Sequence, residues 1–372
     1  MEIQAAVFQR PEGTLTGYRI GLETLELDTA LRDDEVLLRV TSCGVCGTDR
    51  GCLHGLEPFP TPGVLGHEGA GIVQEVGRAV NWLRPGDRVM VGFPFCGICR
   101  FCRAGDSRYC ENSLKLLFSG YRLDGSTPLR RPGGEAVAGR FFQQSTWATH
   151  AIALGRQVVK IPEHVDPDLM GPLGCSISTG AGTVLNELRP TPGSSIAIFG
   201  AGAVGLAALM AARLTGATRM IVVDPVPDRL ALARDLGATH TIVAEKQVVE
   251  AVKDASGGGV DYAIEATAGA NQVAVACEVL GRLGTCAMVG GAAATAQVRL
   301  NHPDMLMNGK RLIGIMGGSG VTPTMQLSLM ELQAQGRFPL EKLVRRYPLA
   351  EIAQALADSE SGDVVKPILH MT

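Results

Sequence analysis

Hydrophobic and polar positions divide this chain into two regions with different periods. Up to about residue 155, apolar residues occur in short runs such as 36–40, 72–76 and 88–91, separated by glycine and proline. Runs of this length and spacing predict short strands, with Pro85-Gly86-Asp87 as a turn between two of them. This region is therefore expected to be mainly β-structure.

From about residue 176 onward, strand-like runs alternate with helical ones. An apolar strand over 195–199 leads into an alanine- and leucine-rich helix that ends near residue 215, and a strand over 220–223 precedes a helix over 228–236. Further strands are predicted at 241–243, 261–265 and 285–289. This alternation indicates right-handed βαβ units and a parallel sheet, so the fold class is α/β. The pattern alone does not assign two more predicted helices, near 323–335 and 349–359, to a domain.

The composition adds limits on function. With 46% hydrophobic and 19% charged residues, the 372-residue chain has ample material for the cores of two globular domains. A formal net charge of −3 offers no basic excess for binding nucleic acid. The first residues lack a secretory signal, and no apolar run reaches the roughly 18 residues of a membrane span. We therefore expect a cytoplasmic protein that binds neither nucleic acid nor membrane.

A glycine-rich turn follows the strand at 195–199. Gly200, Gly202 and Gly205 form the G-x-G-x-x-G fingerprint of dinucleotide-binding proteins. The first glycine allows a tight turn, the second lets the backbone approach a pyrophosphate, and the third allows close packing of helix on strand. The N–H groups at the start of the helix, near Ala203 and Val204, would face the phosphates. The motif alone could also be a packing turn, but its place between strand and helix favours a cofactor site.

An acidic residue ends the next strand. Asp224 follows the fingerprint by about 20 residues, where a carboxylate accepts hydrogen bonds from the adenosine ribose and repels a 2′-phosphate. This position predicts NAD as the cofactor in preference to NADP. Asp224 could alternatively cap the next helix, and Arg229 could either approach the ribose or point into solvent.

Ten cysteines in a chain without a secretory signal indicate thiols or metal ligands in preference to disulfides. Four of them follow one another at short spacing: Cys96, Cys99, Cys102 and Cys110. Four thiolates can close a tetrahedral Zn²⁺ site, which leaves no position for substrate and is therefore structural. The interleaved arginines Arg100, Arg103 and Arg108 would offset the negative charge of such a complex, or are ordinary surface residues.

A second group of metal-binding residue types is dispersed along the chain. Cys46, His67 and Cys175 supply two thiolates and one imidazole, and Glu68 adjoins His67. Such a ligand set leaves the fourth position of Zn²⁺ open for substrate. Each residue taken alone would more simply be a core residue. That interpretation is kept for the remaining cysteines, Cys43, Cys52, Cys277 and Cys286.

Together these residues closely resemble the zinc-containing medium-chain dehydrogenase/reductase family. Gly66-His67-Glu68-x-x-Gly71-x5-Gly77 is similar to the zinc signature of that family, and the four-cysteine segment is similar to its structural zinc site. Within the family, the segments 141–149, 171–175 and 198–205 look most like aryl- or benzyl-alcohol dehydrogenases. The resemblance covers essentially the whole chain, and it implies an NAD-linked alcohol dehydrogenase with one catalytic and one structural Zn²⁺ per chain.

The resemblance also implies a domain organisation. A GroES-like β-barrel catalytic domain would be formed by residues 1–176 and continued by residues 318–372. A Rossmann doubly wound domain for NAD, residues 177–317, would be inserted between them, with the active site in the cleft. The family forms homodimers or homotetramers, so one of these assemblies is expected.

Roles for individual residues follow from family position. The two cysteines and the histidine of the dispersed set would bind the catalytic zinc, and Glu68 would lie beside it as an optional ligand. Asp49 would hydrogen-bond His67 and fix its tautomer, and Thr48 would take the proton of the alcohol. Lys366 matches a basic position that contacts the pyrophosphate. Two further positions match residues near the nicotinamide, Val289 and Ile315.

The sequence departs from the best-known family pattern at two positions. Gly47 stands where many relatives have a basic residue for the pyrophosphate, which predicts weaker NAD binding and faster NADH release. Gly51 stands where many have a histidine that passes the proton to solvent, so the relay would run from Thr48 through the ribose hydroxyl to water. His54 could substitute for that histidine, or be a surface residue.

The resemblance implies reversible oxidation of a primary aromatic or allylic alcohol to the aldehyde. The candidate wall residues of the pocket are four aromatic side chains, Phe93, Phe95, Phe141 and Trp147, which could also be plain core. A polyol dehydrogenase and a thiol-adduct formaldehyde dehydrogenase of the same family are alternatives. A non-catalytic NADH-binding redox sensor is an alternative of another class, and a quinone reductase is disfavoured because such enzymes lack both zinc sets.

Overall fold

The computed structural model describes residues 1–11, 14, 17–319 and 323–371. The chain divides into two compact units. Unit 1 comprises Met1–Cys175 with Val321–Thr372, and unit 2 is Ser176–Gly320. The divisions expected from the sequence, after residues 176 and 317, fall close to these positions.

Strands and helices are numbered in chain order. The strands are β1 (Glu2–Gln9), β2 (Arg19–Leu27), β3 (Glu35–Gly44), β4 (Gly63–Val64), β5 (Glu68–Val76), β6 (Arg88–Val91), β7 (Leu129–Arg130), β8 (Ala136–Val137), β9 (His150–Leu154), β10 (Val158–Lys160), β11 (Ser195–Phe199), β12 (Arg219–Asp224), β13 (His240–Val243), β14 (Val260–Glu265), β15 (Leu280–Met288), β16 (Arg311–Gly314), β17 (Val344–Pro348) and β18 (Lys366–His370). The helices are α1 (Gly47–Leu53), α2 (Arg100–Ala104), α3 (Ser113–Phe118), α4 (Ser176–Gly182), α5 (Ala203–Arg213), α6 (Pro227–Asp235), α7 (Val248–Ser256), α8 (Ala270–Glu278), α9 (His302–Asn308), α10 (Thr324–Ala334) and α11 (Ile352–Ser361). In the described part of the chain, no helix combines the length and apolarity that crossing a membrane requires.

Unit 1 is built on two sheets whose pairs are mostly antiparallel. One sheet has the order β4-β1-β2-β7-β8, and the other has the order β10-β6-β5-β3-β18-β17, with β9 also paired to β3. Valines and leucines of the second sheet, such as Val36, Leu38, Val73 and Val89, pack into one buried core. The short apolar runs of the N-terminal region therefore form strands, as predicted.

The C-terminal segment returns to the middle of unit 1. β18 pairs antiparallel with β3, with Ile368 opposite Gly44 and Leu369 opposite Cys43, and β17 pairs parallel to β18. The two helices that the sequence pattern left unassigned correspond to α10 and α11, and both belong to unit 1. This return brings Lys366, the first residue of β18, next to the end of β3.

Unit 2 is a doubly wound parallel sheet. Its strand order is β13-β12-β11-β14-β15-β16, and every neighbouring pair is parallel. Its core contains residues from both sheet and helices, including Phe199, Ile221, Val252 and Val273. All predicted strands of this region are present, and the structure adds β16 and the helices α7, α8 and α9. These elements, and the helix α4, were not predicted from the sequence.

Candidate metal centres and cofactor loop

An antiparallel pairing brings the first two dispersed candidate ligands together. β3 ends at Gly44, which lies opposite Glu68 at the start of β5. Cys46 follows β3 and His67 precedes β5, so both side chains leave the sheet at the same edge, and both are buried. Thr48 is half-buried in the first turn of α1, close in sequence to Cys46.

Two glycines allow Cys175 to reach the same edge. The 3₁₀ turn before Cys175 packs directly on β5 and β6. A Cβ atom at Gly171 would collide with a carbonyl oxygen of β5, and one at Gly174 would collide with a carbonyl oxygen of β6. Glycine therefore permits an approach that no other residue allows. The turn delivers Cys175 to Cys46, although 129 positions separate them in the sequence.

The side chains form one cluster of metal-binding groups. One ligand atom from each of Cys46, His67, Glu68 and Cys175 lies within 4.8 Å of every other. The two cysteine Sγ atoms are 4.0 Å apart, and the buried Nε2 atom of His67 has no hydrogen-bond partner among the described residues. Two Zn–S bonds of about 2.3 Å at the tetrahedral angle separate their sulfurs by about 3.8 Å. The orphaned nitrogen and the spacing of the sulfurs therefore fit Zn²⁺.

Asp49 holds Cys46 and His67 in place. Its Oδ1 atom accepts hydrogen bonds from Nδ1 of His67 at 3.0 Å and from the Gly66 N–H at 3.1 Å. Its Oδ2 atom accepts from the Cys46 N–H at 2.9 Å. An acceptor at Nδ1 keeps the ring proton there and leaves Nε2 available as a ligand. The structure thus contains the contact between Asp49 and His67 that the sequence predicted.

The electrostatics of this cluster favour a cation. Burial lowers the pKa of His67, but the Asp49 carboxylate and the Cys46 thiol outweigh burial and raise the pKa to about 10. The pKa of the Cys46 thiol lies well below its usual range, because the Cys175 thiol donates a hydrogen bond to it and the Lys366 ammonium is near, although burial opposes the shift. Surroundings that stabilise a protonated imidazole also stabilise another positive charge at the same place.

Glu68 faces both the cluster and a buried lysine. Its Oε2 atom lies 2.8 Å from Nζ of Lys366, which also donates to the Val45 carbonyl oxygen at 3.0 Å. A Cβ atom at Gly44 would collide with Oε2, so glycine makes room for the carboxylate. Lys366 is only 1% exposed and pairs within unit 1. The contact between Lys366 and a pyrophosphate stays a prediction.

Aromatic rings cover one side of His67. The ring centroid of Phe142 lies 4.2 Å from that of His67, and the ring of Phe141 meets the imidazole edge-on at 5.3 Å. Phe93 lies 5.3 Å from Phe142. Two of the four predicted wall residues, Phe93 and Phe141, therefore belong to an apolar group beside the metal-binding cluster.

The other two predicted wall residues have different surroundings. Phe95 packs against the core of the four-cysteine segment. Trp147 is fully buried against the backbone of Gly66, where a Cβ atom would lie 2.5 Å from its indole ring. Trp147 thus supports the turn that precedes His67, and its place in a pocket wall stays a prediction.

The segment that carries the aromatic rings beside His67 has a strained backbone. Phe142 and Ser145 have φ angles of 49° and 50°, which cost a non-glycine residue about 1–3 kcal/mol each. Gln144 lies between them and anchors the segment. Its side-chain amide donates to the His67 carbonyl oxygen at 3.0 Å, and its side-chain oxygen accepts from the Gly69 N–H at 3.3 Å. These bonds help to offset the strain and fix the backbone on both sides of the metal-binding edge.

The four clustered cysteines form the second candidate metal site. Their sulfur atoms all lie within 4.8 Å of one another. Cys110 is buried, whereas Cys96, Cys99 and Cys102 are half-buried. Backbone N–H groups point at the sulfurs: that of Cys99 donates to Cys96 Sγ at 3.4 Å, and that of Cys96 donates to Cys110 Sγ at 3.3 Å. Such bonds stabilise thiolates, so this segment, 96–110, fits a closed Zn²⁺ site.

The three arginines of this four-cysteine segment differ in environment. Arg100 pairs with Glu111 at 3.1 Å with its own side chain 78% exposed, and Arg103 is also exposed. Arg108 is buried, and its guanidinium carbon lies 4.3 Å from the ring centroid of Phe93. Arg100 and Arg103 are therefore surface residues, and Arg108 is not.

The glycine fingerprint lies between β11 and α5 in unit 2. Gly200 has a φ of 97°, and a Cβ atom at Gly205 would collide with the Gly200 carbonyl oxygen. A Cβ atom at Gly202 would meet nothing within 4 Å, so the backbone there borders open space. Ala203 and Val204 form the first turn of α5. The tight turn, the close packing and the open backbone fit a bound pyrophosphate.

The remaining candidate cofactor residues lie at the same edge of the parallel sheet. Asp224 ends β12, and its carboxylate accepts from the Ala201 N–H at 2.7 Å and from the Val226 N–H at 2.9 Å. It therefore contacts both the glycine loop and the start of α6. Two more follow the carboxyl ends of β15 and β16, namely Val289 and Ile315. Arg229 is half-buried on α6.

Comparison with known proteins places this geometry in a family. The chain matches the alcohol dehydrogenase GroES-like domain over residues 32–163 and the zinc-binding dehydrogenase domain over residues 203–334. Geraniol dehydrogenase from Castellaniella defragrans is 40% identical over 371 residues, which are 98% of this chain and 97% of that protein. The chain belongs to the zinc-containing alcohol dehydrogenases. The predicted family and the predicted α/β fold with a GroES-like and a Rossmann domain are confirmed.

Solved structures of family members are closely similar. An alcohol dehydrogenase zinc-binding domain protein from Burkholderia ambifaria is 43% identical, with a TM-score of 0.94 over 100% of this chain and 99% of that chain. Benzyl alcohol dehydrogenase from Acinetobacter calcoaceticus is 38% identical, with a TM-score of 0.94 over 100% of both chains. This zinc-containing alcohol dehydrogenase therefore shares its whole fold with them.

The two departures from the pattern of the zinc-containing alcohol dehydrogenases both lie in α1. Gly47 is exposed, and a Cβ atom there would lie 3.9 Å from Nη2 of Arg50. Gly51 is buried and offers no side chain for a proton relay. His54, the predicted substitute, pairs with Glu360 at 2.7 Å, and its side chain is 51% exposed. Its position is that of a surface residue.

Sequence reasoning missed two functional candidates in this member of the family, and it did not separate Arg108 from the other interleaved arginines. Phe142 and Gln144 lie in the segment 141–149 that carried the aryl-alcohol resemblance, but their contacts with His67 depend on positive φ angles that composition does not reveal. Arg108 looks like Arg103 in sequence, and only the fold buries it.

Proposed function

We propose that this zinc-containing alcohol dehydrogenase is NAD-linked and oxidises a primary aromatic or allylic alcohol to its aldehyde, reversibly. The observation that carries the proposal is the buried ligand set at the edge of β3 and β5. Two sulfurs 4.0 Å apart and an orphaned imidazole nitrogen lie beside a wall of phenylalanine rings. Three ligands leave a fourth metal position for an alcohol oxygen.

Cys46, His67 and Cys175 would hold the catalytic zinc. When bound, zinc polarises the oxygen of the alcohol and makes its proton easier to lose. Asp49 orients the imidazole through Nδ1 and anchors the Cys46 backbone, so it keeps two of the ligands in register. Glu68, held back by Lys366, is an additional carboxylate within reach of the same position.

Thr48 would move the proton of the alcohol. Its Oγ1 atom can accept that proton's hydrogen bond and donate its own hydrogen onward. Because Gly51 has no side chain to continue the relay, the route would run through a ribose hydroxyl of the cofactor to water.

Unit 2 would bind NAD at the fingerprint glycines. The open backbone at Gly202 would admit the pyrophosphate, and the start of α5 would face its charge. Asp224 would accept from the adenosine ribose and disfavour a 2′-phosphate. The nicotinamide supplies the hydride acceptor. The four cysteines of the segment 96–110 would hold the structural zinc.

The substrate class rests on two supports. A 40% identical relative is a geraniol dehydrogenase, and a 38% identical relative of known structure is a benzyl alcohol dehydrogenase. Geraniol is allylic and benzyl alcohol is aromatic, and both present a planar π-system next to the reacting carbon. Phe93, the most exposed of the three rings in the group beside His67, would offer such a substrate an apolar surface, backed by the buried rings of Phe141 and Phe142.

The test is NAD reduction with benzyl alcohol, geraniol, ethanol and sorbitol, before and after zinc chelation. Fast turnover of benzyl alcohol or geraniol that chelation abolishes supports the proposal. A preference for sorbitol keeps the zinc chemistry and rejects the apolar pocket. Reduction of NAD only when formaldehyde and a thiol are added together indicates the thiol-adduct enzyme. Bound NADH without turnover of any alcohol indicates the sensor.

A further inference from the structure

Gln157 is a fully buried glutamine that connects the two segments carrying the aromatic rings beside His67. It ends a 3₁₀ turn between β9 and β10. Its side-chain Nε2 atom donates to the carbonyl oxygen of Phe142 at 3.1 Å, and its backbone carbonyl oxygen accepts from the Gly92 N–H at 2.8 Å. Gly92 directly precedes Phe93. One residue therefore bonds the backbone of Phe142 and the backbone next to Phe93.

The other half of the Gln157 amide is unsatisfied. Its Oε1 atom is buried and has no hydrogen-bond partner among the described residues. Turning the amide over would bring this oxygen to the place of Nε2, 3.1 Å from the Phe142 carbonyl oxygen, where two acceptors repel, so the orientation is fixed. A buried acceptor without a partner destabilises the fold, and an apolar side chain of the same length would avoid this loss. Stability alone therefore gives little advantage to glutamine at this position.

The residue that Gln157 holds has a conformation that needs outside support. Phe142 has a φ of 49°, which its own backbone disfavours, so contacts with the surrounding structure must maintain it. In this conformation the Phe142 ring lies 4.2 Å from the ring centroid of His67 and 5.3 Å from that of Phe93, which it meets edge-on. The hydrogen bond from Gln157 thus fixes the backbone of a ring that backs Phe93.

We propose that Gln157 is a positioning residue that sets the preference for planar aromatic alcohols over small aliphatic ones. Its amide holds Phe142 against Phe93, the most exposed ring of the group, and so fixes the surface that the substrate would contact. The ring of benzyl alcohol can pack on that surface, whereas ethanol has no ring to place there. The inference rests on the aromatic or allylic substrate of the proposed function.

Two substitutions separate positioning from packing. Gln157→Met removes the donor and keeps an unbranched side chain of similar length. It also removes the unpartnered oxygen, so its melting temperature should stay within about 3 °C of wild type. Gln326→Met is the matched control, because Gln326 is equally buried, also has an unpartnered Oε1 atom, and donates to the Leu173 carbonyl oxygen at 2.9 Å. Leu173 lies in the turn before Cys175, away from the rings, so any loss of turnover in Gln326→Met should be the same for every alcohol.

The experiment compares kcat/KM for benzyl alcohol with kcat/KM for ethanol in the zinc-loaded enzymes. A net hydrogen bond corresponds to about a two- to tenfold change in an equilibrium constant, so the ratio should fall about three- to tenfold in Gln157→Met, with the value for ethanol within about twofold of wild type. In Gln326→Met the ratio should stay within about twofold of wild type. Calorimetry on the complexes with NADH, which cannot accept a hydride, should show benzyl alcohol bound about three- to tenfold more weakly by Gln157→Met than by wild type.

A double-mutant cycle tests whether Gln157 acts through the ring of Phe142. The variant that combines Gln157→Met with Phe142→Leu should lose no more of the benzyl alcohol preference than Phe142→Leu alone, because the amide has no ring left to position. Losses that multiply would show that Gln157 acts by another route, and would overturn the inference.

An unchanged ratio in Gln157→Met, or equal falls in Gln157→Met and Gln326→Met, would also overturn the inference and leave the proposed function intact. If Gln157→Met folds poorly, Gln157→Asn makes the same comparison, because its amide is one carbon shorter and falls short of the Phe142 carbonyl oxygen. A lower ratio in Gln157→Asn supports the inference, and the wild-type ratio rejects it. A wild-type enzyme that oxidises ethanol as efficiently as benzyl alcohol would reject the proposed substrate class and the inference together.

Discussion

The two candidate metal sites use the same thiolate chemistry in opposite ways. The four cysteines of the segment 96–110 lie within a short stretch of chain, and three of them are half-buried. Cys46, His67 and Cys175 come from distant parts of unit 1, are buried, and are aligned by Asp49 and by glycines that let backbones touch. The local site needs little more than its own spacing, whereas the dispersed site exists only when the sheet around it is complete. The site with four protein ligands is thus assembled from neighbouring residues of the chain. The site that would leave one zinc position open depends on the surrounding strands and hydrogen bonds.

The most severe test of this comparison is His67→Ala. Loss of the imidazole would remove a proposed zinc ligand and with it several kcal/mol of charge stabilisation, so turnover of benzyl alcohol should fall at least about 1000-fold. Metal analysis should find the zinc of the segment 96–110 retained. His164→Ala is the control, because His164 is an exposed histidine paired with Glu331. Near-normal activity of His67→Ala with both zinc ions bound would show that the dispersed site is not catalytic.

A second test removes the carboxylate that orients the ligands of the dispersed site and leaves the ligands themselves unchanged. In Asp49→Asn, an amide replaces the carboxylate that accepts from His67 and Cys46, so the affinity of the dispersed site for zinc should fall about 10- to 100-fold. The segment 96–110 should keep its affinity, because Asp49 does not contact it. Competition with a chelator of known affinity measures both sites. Equal weakening of the two sites would mean that Asp49 supports the whole unit instead of one centre.

The site in the segment 96–110 is tested with Cys99→Ser. We expect loss of the second zinc and a half-life on mild heating that is at least about tenfold shorter, since the binding energy of a structural metal contributes to folding. The kcat of the protein that is still folded should stay within about threefold of wild type. Cys52→Ser is the control, a buried cysteine outside both clusters. If kcat falls first and the half-life is unchanged, the assignment of roles to the two sites is reversed.

The smallest expected effect is on the wall of the dispersed site. Phe142→Leu removes a ring 4.2 Å from His67, and aromatic contacts of this kind contribute about 0.5–1.5 kcal/mol. We expect kcat/KM for benzyl alcohol to fall about three- to tenfold, with zinc content unchanged. Phe101→Leu changes a ring of the segment 96–110 and should have no such effect. Equal losses in both variants would indicate a general effect on stability.

The contrast between the local and the dispersed site also explains which features could be predicted from the sequence. The four-cysteine site and the glycine fingerprint were predictable because short spacing and local backbone geometry define them. The members of the dispersed site were found through family resemblance, and the structure brings Cys46, His67, Glu68 and Cys175 together. The residues around the pocket were harder to predict from the sequence, because positive φ angles at Phe142 and Ser145 decide which ring faces His67. Burial of Arg108 was not predictable either, since it depends on how the guanidinium packs on Phe93, which precedes the segment 96–110.

The return of the chain to β3 has a consequence for the order in which the molecule is made. Unit 2 is continuous, so its parallel sheet can close as soon as residues 176–320 have left the ribosome. Unit 1 begins earlier and finishes later, because β18 must find β3 across more than 300 residues, and Lys366 meets Glu68 only then. During synthesis the cofactor fold can therefore close before the contact between Lys366 and Glu68 forms, although all the candidate metal ligands are translated before unit 2.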